Sequence, residues 1–377
     1  MTEIRPLHDY EMIEAITLAN SIFRDAEQVS MADAFPLVFS ENLGQSFGAF
    51  EDGKLVAFMG LVPAQIRVGA SQFDVYSLGA VCTHPDYRGK GYAGQILDQI
   101  KVHISQTGAS LLLVSGDRPL YIRAHCYQYS TVKRYLLDPQ NIQQIANLSD
   151  DITIRELGAT DWFKLHQVAS ARFSRYEQSI SELASMIRAQ AYASCVKLTH
   201  RTLVAEQNGQ LIAFAVVSVP TTYVKRRPPF VVEYGGDPRV VASLLKQVVT
   251  AYNLDRLDAA IIWHDDVLHE SLSEVPFEAE SNYGTVHIVN SERFLTELQP
   301  YLNQANAEAA ALFNLKNLEQ GKCQLTFGEQ SFELEPQELV SLIFDTEPNT
   351  RLPVDVKQSL ATIFPLPFPL VSGLNYV

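Results

Sequence analysis

No run of the ~18 apolar residues needed to cross a membrane as a helix occurs anywhere in this 377-residue chain. The opening Met1-Thr2-Glu3-Ile4-Arg5 lacks the apolar core and small-residue cleavage site of a secretory signal. Cysteine is sparse: Cys82, Cys126, Cys195 and Cys323 are far apart and form no C-x-x-C pair. That spacing supplies no zinc site and suits a reducing compartment. Basic residues are in the minority, 29 Lys and Arg against 43 Asp and Glu, for a net charge of −14. Such a balance argues against a nucleic-acid backbone as the main partner. A phosphate-binding G-x-x-x-x-G-K-[ST] run is also missing. These absences predict a cytoplasmic protein with no resident metal, no nucleic-acid partner and no membrane partner.

What remains is an ordinary folded composition, 47% hydrophobic and 19% charged. The length exceeds what one hydrophobic core usually serves, so two or three domains are expected. Acidity is unevenly spread: residues 291–377 carry 5 basic and 11 acidic groups. An acidic surface could draw in a cationic substrate. His264-Asp265-Asp266 and His269 look superficially like metal ligands, but no helix-spaced partner accompanies them, and they read as surface residues.

Met12, Ile13, Ile16 and Ala19 recur at helical spacing after a short extended segment, Ile4-Arg5-Pro6-Leu7. Strand-like residues 47–50 and 55–62 flank Glu51-Asp52-Gly53-Lys54, where Asp-Gly is a strong signal for a two-residue hairpin turn. Another strand is predicted over 73–83, then a glycine-rich turn, then a helix to about His103 with Ala93, Ile96, Leu97, Ile100 and Ile104 on one face. An apolar strand follows at 110–114.

A fainter copy of this order starts near residue 152. Ile154-Arg155-Glu156-Leu157 echoes Ile4-Arg5-Pro6-Leu7, and Ala169 and Phe173 match Ala19 and Phe23. The decapeptide Ala49-Phe50-Glu51-Asp52-Gly53-Lys54-Leu55-Val56-Ala57-Phe58 aligns with Ala205-Glu206-Gln207-Asn208-Gly209-Gln210-Leu211-Ile212-Ala213-Phe214, five positions being identical. A duplicated fold is therefore expected. The copy has no glycine-rich motif: Val231-Val232-Glu233-Tyr234-Gly235-Gly236-Asp237-Pro238-Arg239 is a plain turn before a helix over 240–252. It reads as scaffold.

From Ser291 the pattern changes to a helix over 294–302, strands at 323–327 and 331–334, and a helix from Pro336. The end, Phe364-Pro365-Leu366-Pro367-Phe368-Pro369-Leu370-Val371-Ser372-Gly373-Leu374-Asn375-Tyr376-Val377, alternates prolines that exclude helix or central strand. It is too apolar to stay in water and should lie extended in a groove.

The most informative segment is Val81-Cys82-Thr83-His84-Pro85-Asp86-Tyr87-Arg88-Gly89-Lys90-Gly91-Tyr92-Ala93, a strand-to-helix junction. A helix start exposes unpaired N–H groups and the positive end of its dipole, which suits a diphosphate. Gly89 and Gly91 let backbone approach phosphate closely, and Arg88 and Lys90 add cationic donors. Gly89-Lys90-Gly91-Tyr92-Ala93-Gly94 is formally G-x-G-x-x-G, with Asp117 near the end of the next strand, so an NAD-dependent oxidoreductase is one reading. The five residues between strand and first glycine, and the hairpin upstream, count against it.

Arg88-Gly89-Lys90-Gly91-Tyr92-Ala93 also matches [Q/R]-x-x-G-x-[G/A], and in its strand–His-Pro–helix context it resembles the pyrophosphate motif of the GNAT superfamily of acetyltransferases. The resemblance implies acetyl-coenzyme A as cosubstrate, with the diphosphate on residues 88–93. It also implies a splayed strand whose main chain at Val81, Cys82 and Thr83 binds the pantetheine arm, a free N–H there steadying an oxyanion. Leu120-Tyr121-Ile122-Arg123-Ala124-His125-Cys126-Tyr127 resembles the family's F-Y-x-x-x-G-F segment, which makes Tyr121 the acid for the departing thiolate. Cys126 replaces the usual glycine. The general base is less obvious: residues 77–83 contain no carboxylate, and Asp74 and His84 are merely nearby. Cys82 has no neighbour to activate it as a nucleophile.

Two GNAT-like halves followed by a small αβ unit resemble the enhanced-intracellular-survival type of acetyltransferase. That resemblance implies mixed α/β architecture: a catalytic domain over 1–138, a degenerate GNAT-like domain over 150–290, and a sterol-carrier-like domain over 291–377. It makes the terminal carboxylate of Val377 a candidate base, although an unshifted α-carboxylate, pKa about 3.5, is a weak one. It also implies transfer to an amine of a small molecule or peptide by direct attack in a ternary complex, and it makes homo-oligomers an expectation. A catalytically silent acyl-coenzyme A sensor stays open as the second reading.

Overall fold

The computed structural model describes residues 2–225 and 227–377. In chain order the strands begin β1 (Thr2–Pro6), β2 (Phe47–Glu51), β3 (Lys54–Val68), β4 (Ser71–Thr83), β5 (Leu111–Val114) and β6 (Tyr127–Gln128). They continue β7 (Thr131–Leu137), β8 (Ile152–Glu156), β9 (Ser174–Tyr176), β10 (Leu198–Gln207), β11 (Gln210–Pro220) and β12 (Phe230–Gly236). The last are β13 (Leu257–Ile262), β14 (Phe277–Ser281), β15 (Thr285–Ile288), β16 (Phe313–Asn317), β17 (Cys323–Phe327) and β18 (Gln330–Leu334).

Two large mixed sheets dominate. One has the order β1-β2-β3-β4-β5-β15-β6, with β9 added to β3; the other has β14-β7-β13-β12-β11-β10-β8. β16-β17-β18 form a small antiparallel third sheet. In each large sheet only one pair is parallel, β4 with β5 and β12 with β13. A doubly wound dinucleotide sheet is parallel in the main, so the fold excludes the oxidoreductase reading.

The duplication is visible strand by strand. Asp52-Gly53 and Asn208-Gly209 both take left-handed backbone (φ 51° and 79°; 51° and 76°), as the two-residue turn between β2 and β3, and between β10 and β11, requires. A bulge follows at matching places, between Ala49 and Phe50 and between Ala205 and Glu206. Each copy also opens with the same ion pair. Arg5 donates to both oxygens of Glu11 (2.8 and 2.7 Å), and Arg155 to both oxygens of Asp161 (2.5 and 2.9 Å).

Sheet membership corrects the boundaries drawn at 138 and 290. β7 leaves the first copy and pairs with β13 and β14 in the second sheet, while β15 pairs with β5 and β6 in the first. The copies exchange strands, because each parallel pair leaves an open edge that a strand from the other half covers. Each large sheet is thus built from strands of both stretches, 1–138 and 150–290.

Helix Tyr92–Thr107 buries Ile96, Leu97, Ile100 and Ile104 against Leu78 and Leu112. Each such side chain withdrawn from water contributes about 1.5–3 kcal/mol before entropy is counted. Helix Met12–Phe23 covers the other face with Met12, Ala15, Leu18 and Ala19, whereas Ile13 is exposed. The helix after residue 290 spans Ser291–Leu312, longer than the pattern indicated, and Asn306 breaks its geometry near the end. Strand β16 escaped the sequence reading, since Asn314, Lys316 and Asn317 dilute its apolar pattern.

The proline-rich tail lies in a groove as its composition demands. Leu366, Phe368, Val371 and Leu374 are buried. Its backbone is fixed by Ile343 O on Leu366 N (2.7 Å), Asn282 on Val371 N (3.2 Å) and Glu233 on Leu374 N (3.1 Å).

Candidate active site

Strand β4 is held by β5 only through Val75–Leu78, the last pair being Leu78 with Val114. Beyond that point β4 continues to Thr83 while the other chain turns away at Ser115-Gly116, so the strands part. A bulge opposite Phe58–Gly60 puts Ala80 at φ 49° and re-aims the backbone of Val81, Cys82 and Thr83. The parted strands open a cleft of about 1100 Å³ lined by residues 78–83, Arg88, Ala93, Ser115, Tyr121, Tyr376 and Val377.

At its outer end lies a second hollow of about 400 Å³ under Thr83, Arg88, Gly89, Gly91, Tyr92, Ala93 and Gly94. The two share Thr83, Arg88, Ala93, Leu120 and Arg123, and so form one continuous trough. Gly89 and Gly91 have φ of 79° and 81°, which a side chain would strain. A methyl group at Gly89 or Gly94 would meet nothing within 4 Å, so the turn faces open space. Gly91 is the N-cap of the helix and offers no side-chain acceptor, leaving the first-turn N–H groups without a cap.

Not every predicted donor points there. Lys90 reaches both Glu51 oxygens at 3.0 Å and lies over the Tyr87 ring, and the Tyr92 hydroxyl also donates to Glu51. Both side chains are therefore committed to the β2–β3 hairpin, and Lys90 does not line the hollow. Arg118 and Arg123 line the cleft beside Arg88 instead. The sequence hint was there: two arginines bracket Tyr121 in an otherwise acidic chain. Against these three cations the lining carries one acidic side chain, Asp117. The net charge of the chain thus misjudged its cleft, which is not acidic.

Tyr121 sits on the short helix Pro119–Arg123 and is buried, which pushes its hydroxyl above the usual tyrosine range and keeps it protonated. Cys82 and Cys126 are both pushed up to about 12 by burial, so neither supplies a thiolate. Neither Asp74 nor His84 lines the cleft: Asp74 pairs with Arg293 at 3.2 Å, and His84 caps the turn at Pro85–Tyr87.

The chain terminus does reach this point. Ser115 donates its hydroxyl hydrogen to the Val377 oxygen. A methyl group at Gly79 would overlap the terminal carboxyl carbon, so only glycine there lets the carboxylate into the opening between β4 and β5. Tyr376 anchors it by stacking on Tyr192 at 4.7 Å. Beyond Val377 the cleft is walled by Ile22, Phe23, Met31 and Phe35.

The His264–His269 segment is tied into the fold and is not free surface. Among the described residues no His, Cys, Asp and Glu group could hold a metal ion. His269 is bound to Tyr135 (2.9 Å) and to Ile262 O (3.0 Å), and Asp265 accepts the Tyr234 hydroxyl hydrogen. Among the described residues no helix is long and apolar enough to cross a membrane.

Comparisons with known proteins bear on the fold and on the first third of the chain. Residues 3–127 match the family model described as acetyltransferase (GNAT) domain. No curated protein matches the sequence. Among solved structures, a GCN5-related N-acetyltransferase from Anabaena variabilis is 12% identical with a TM-score of 0.67, covering 97% of both chains. One from Kribbella flavida is 13% identical at 0.63, covering 98% of both. Eis1 from Mycobacterium abscessus is 12% identical at 0.59, covering 89% of this chain and 85% of its own. The first third of the chain therefore matches a GNAT acetyltransferase domain in sequence, and the whole chain has the mixed α/β fold of GNAT N-acetyltransferase structures.

Proposed function

We propose that the protein is an acetyl-coenzyme A-dependent N-acetyltransferase acting on an amine of a small molecule or peptide. The observation that carries this reading is that the buried Tyr121 and the terminal carboxylate of Val377 line one cleft beside an uncapped glycine turn. The residues fit the cosubstrate: an open cradle at Gly89 and Gly91, free helix-terminal N–H groups, and the guanidinium groups of Arg88, Arg118 and Arg123 suit a phosphorylated nucleotide. Val81, Cys82 and Thr83, past the last β4–β5 pair, offer main-chain groups to an extended amide-bearing arm.

The cosubstrate supplies a thioester. Val377 takes a proton from the acceptor ammonium, the neutral amine forms the new C–N bond, the C–S bond breaks, and the amide nitrogen loses its second proton to solvent. Tyr121 gives its proton to the leaving sulfur, and solvent restores both groups. Ser115 holds the carboxylate in position. The apolar walls of Ile22, Phe23, Met31 and Phe35 favour an acceptor with an apolar body. The C-terminal unit is read as the sterol-carrier-like domain of the same architecture, whose part here is to carry the tail. A cytoplasmic location and a homo-oligomeric assembly complete the proposal.

The test is coenzyme A release across an amine panel. Amine-dependent release that falls by about 10²-fold or more in Tyr121→Phe, the range of general acid catalysis, supports the reading. Binding of acetyl-coenzyme A with no turnover of any amine would favour the silent sensor.

A further inference from the structure

The second copy has an opening of its own. β12 and β13 pair only at Phe230 and Asp258, then part. Between them lies a cavity of about 630 Å³, within the range of sites for drug-sized ligands. Its walls answer those of the first cleft: Phe173 stands where Phe23 does, residues 232–236 replace the end of β4, and Asp265, three residues past β13, takes the place of Asp117 after β5. The tail closes both, with Pro369 and Leu370 here and Tyr376 and Val377 there.

The chemistry at the helix start has been reversed. Asp237 caps helix Pro238–Ala251, accepting from Arg239 N (2.9 Å) and Val240 N (3.3 Å), and Pro238 has no N–H to give. A carboxylate thus occupies the position where a diphosphate would need donors. Gly236, at φ 100°, is pressed against the Ile212 carbonyl and serves packing. This cavity cannot take a phosphorylated nucleotide.

What it can take follows from its polar groups. Among the described residues, the one ion pair in the lining joins Arg172 to Glu233, and the other Glu233 oxygen receives Leu374 N, so both are satisfied. Asp265 accepts from Tyr234 through Oδ2, which leaves Oδ1 as an acceptor without a cation beside it. Val232, Val241, Leu268, Phe173 and Leu370 supply an apolar surround. We infer that the cavity between β12 and β13 is a binding site for a phosphate-free, apolar-bodied amine whose ammonium pairs with Asp265. The site is separate from the acetyl-transfer cleft and stands or falls independently of it.

Dansylcadaverine, a fluorescent amine on an apolar body, is the probe. Its fluorescence should rise on titration into the full-length protein, and Gly91→Glu should leave that affinity unchanged. Asp265→Asn should weaken binding roughly tenfold or more, the loss expected when a charged head group loses its partner in an apolar site. Ala171→Trp, on the exposed lip of the cavity, should block binding without touching the core. The dansyl amide of 6-aminohexanoic acid, with a carboxylate on the same body, should bind roughly tenfold or more weakly by the same argument. Absence of binding, equal binding of the carboxylate probe, or unchanged affinity in both Asp265→Asn and Ala171→Trp would overturn the inference.

Discussion

The two copies of the fold share a hairpin with a left-handed turn, a bulge, one parallel strand pair that parts, and a helix that starts at the opening. They differ at the start of that helix. Gly91 leaves its N-terminus bare, whereas Asp237 caps it with a carboxylate. The bare end attracts anions and the capped end refuses them. The difference teaches that two copies of one sheet can present opposite charge at the helix start, which is why the proposed cosubstrate site is assigned to the first copy. The same tail then marks each cleft differently, with a carboxylate at Val377 in one and an apolar turn at Leu370 in the other.

The largest expected effect breaks that asymmetry directly. Gly91→Glu gives the first copy the second's carboxylate and forces a side chain onto φ 81°, so acetyl-coenzyme A affinity should fall by roughly 10²-fold or more. Equilibrium titration checks this. Deleting residues 375–377 should lower kcat by about 10²–10⁴, as loss of a general base does, while cosubstrate affinity changes far less. Steady-state kinetics with a fixed amine separates the two. Unchanged turnover would remove Val377 from the mechanism.

A smaller effect tests the repeated ion pair. Asp161 is held at about 2, chiefly by its hydrogen bonds from Arg155, against an ordinary value near 3.9. A depressed carboxylate stabilises the fold above its ordinary pKa and loses that contribution as pH falls from about 4 toward 2. Asp161→Asn should cost about 2 kcal/mol at pH 7 and flatten that acid limb in denaturant titrations. Smallest of all, Asp237→Ala should cost about 1 kcal/mol of stability, the usual worth of a cap, and leave acetyl-coenzyme A binding intact.

Much of this comparison was readable in the residues. Asp52-Gly53 and Asn208-Gly209 announce matching turns because few other pairs tolerate two left-handed residues. The glycine turn and Tyr121 could be singled out because the chemistry proposed for them demands particular residue types at short range. The strand exchange was not readable, since nothing in the short segments of β7 and β15 specifies which sheet accepts them. Lys90 misled for a related reason: its partner Glu51 lies in a different element, and only the folded hairpin brings the two within 3.0 Å. Ser115, which holds Val377, gave no signal, because the contact joins residues 262 positions apart.

The account rests on one cosubstrate site per chain, located in the first copy. Calorimetric titration of the protein with acetyl-coenzyme A, beside Gly91→Glu and Asp237→Ala, tests it most directly. The account predicts one site per chain, lost in Gly91→Glu and retained in Asp237→Ala. Two sites, or a single site that survives Gly91→Glu, would contradict it.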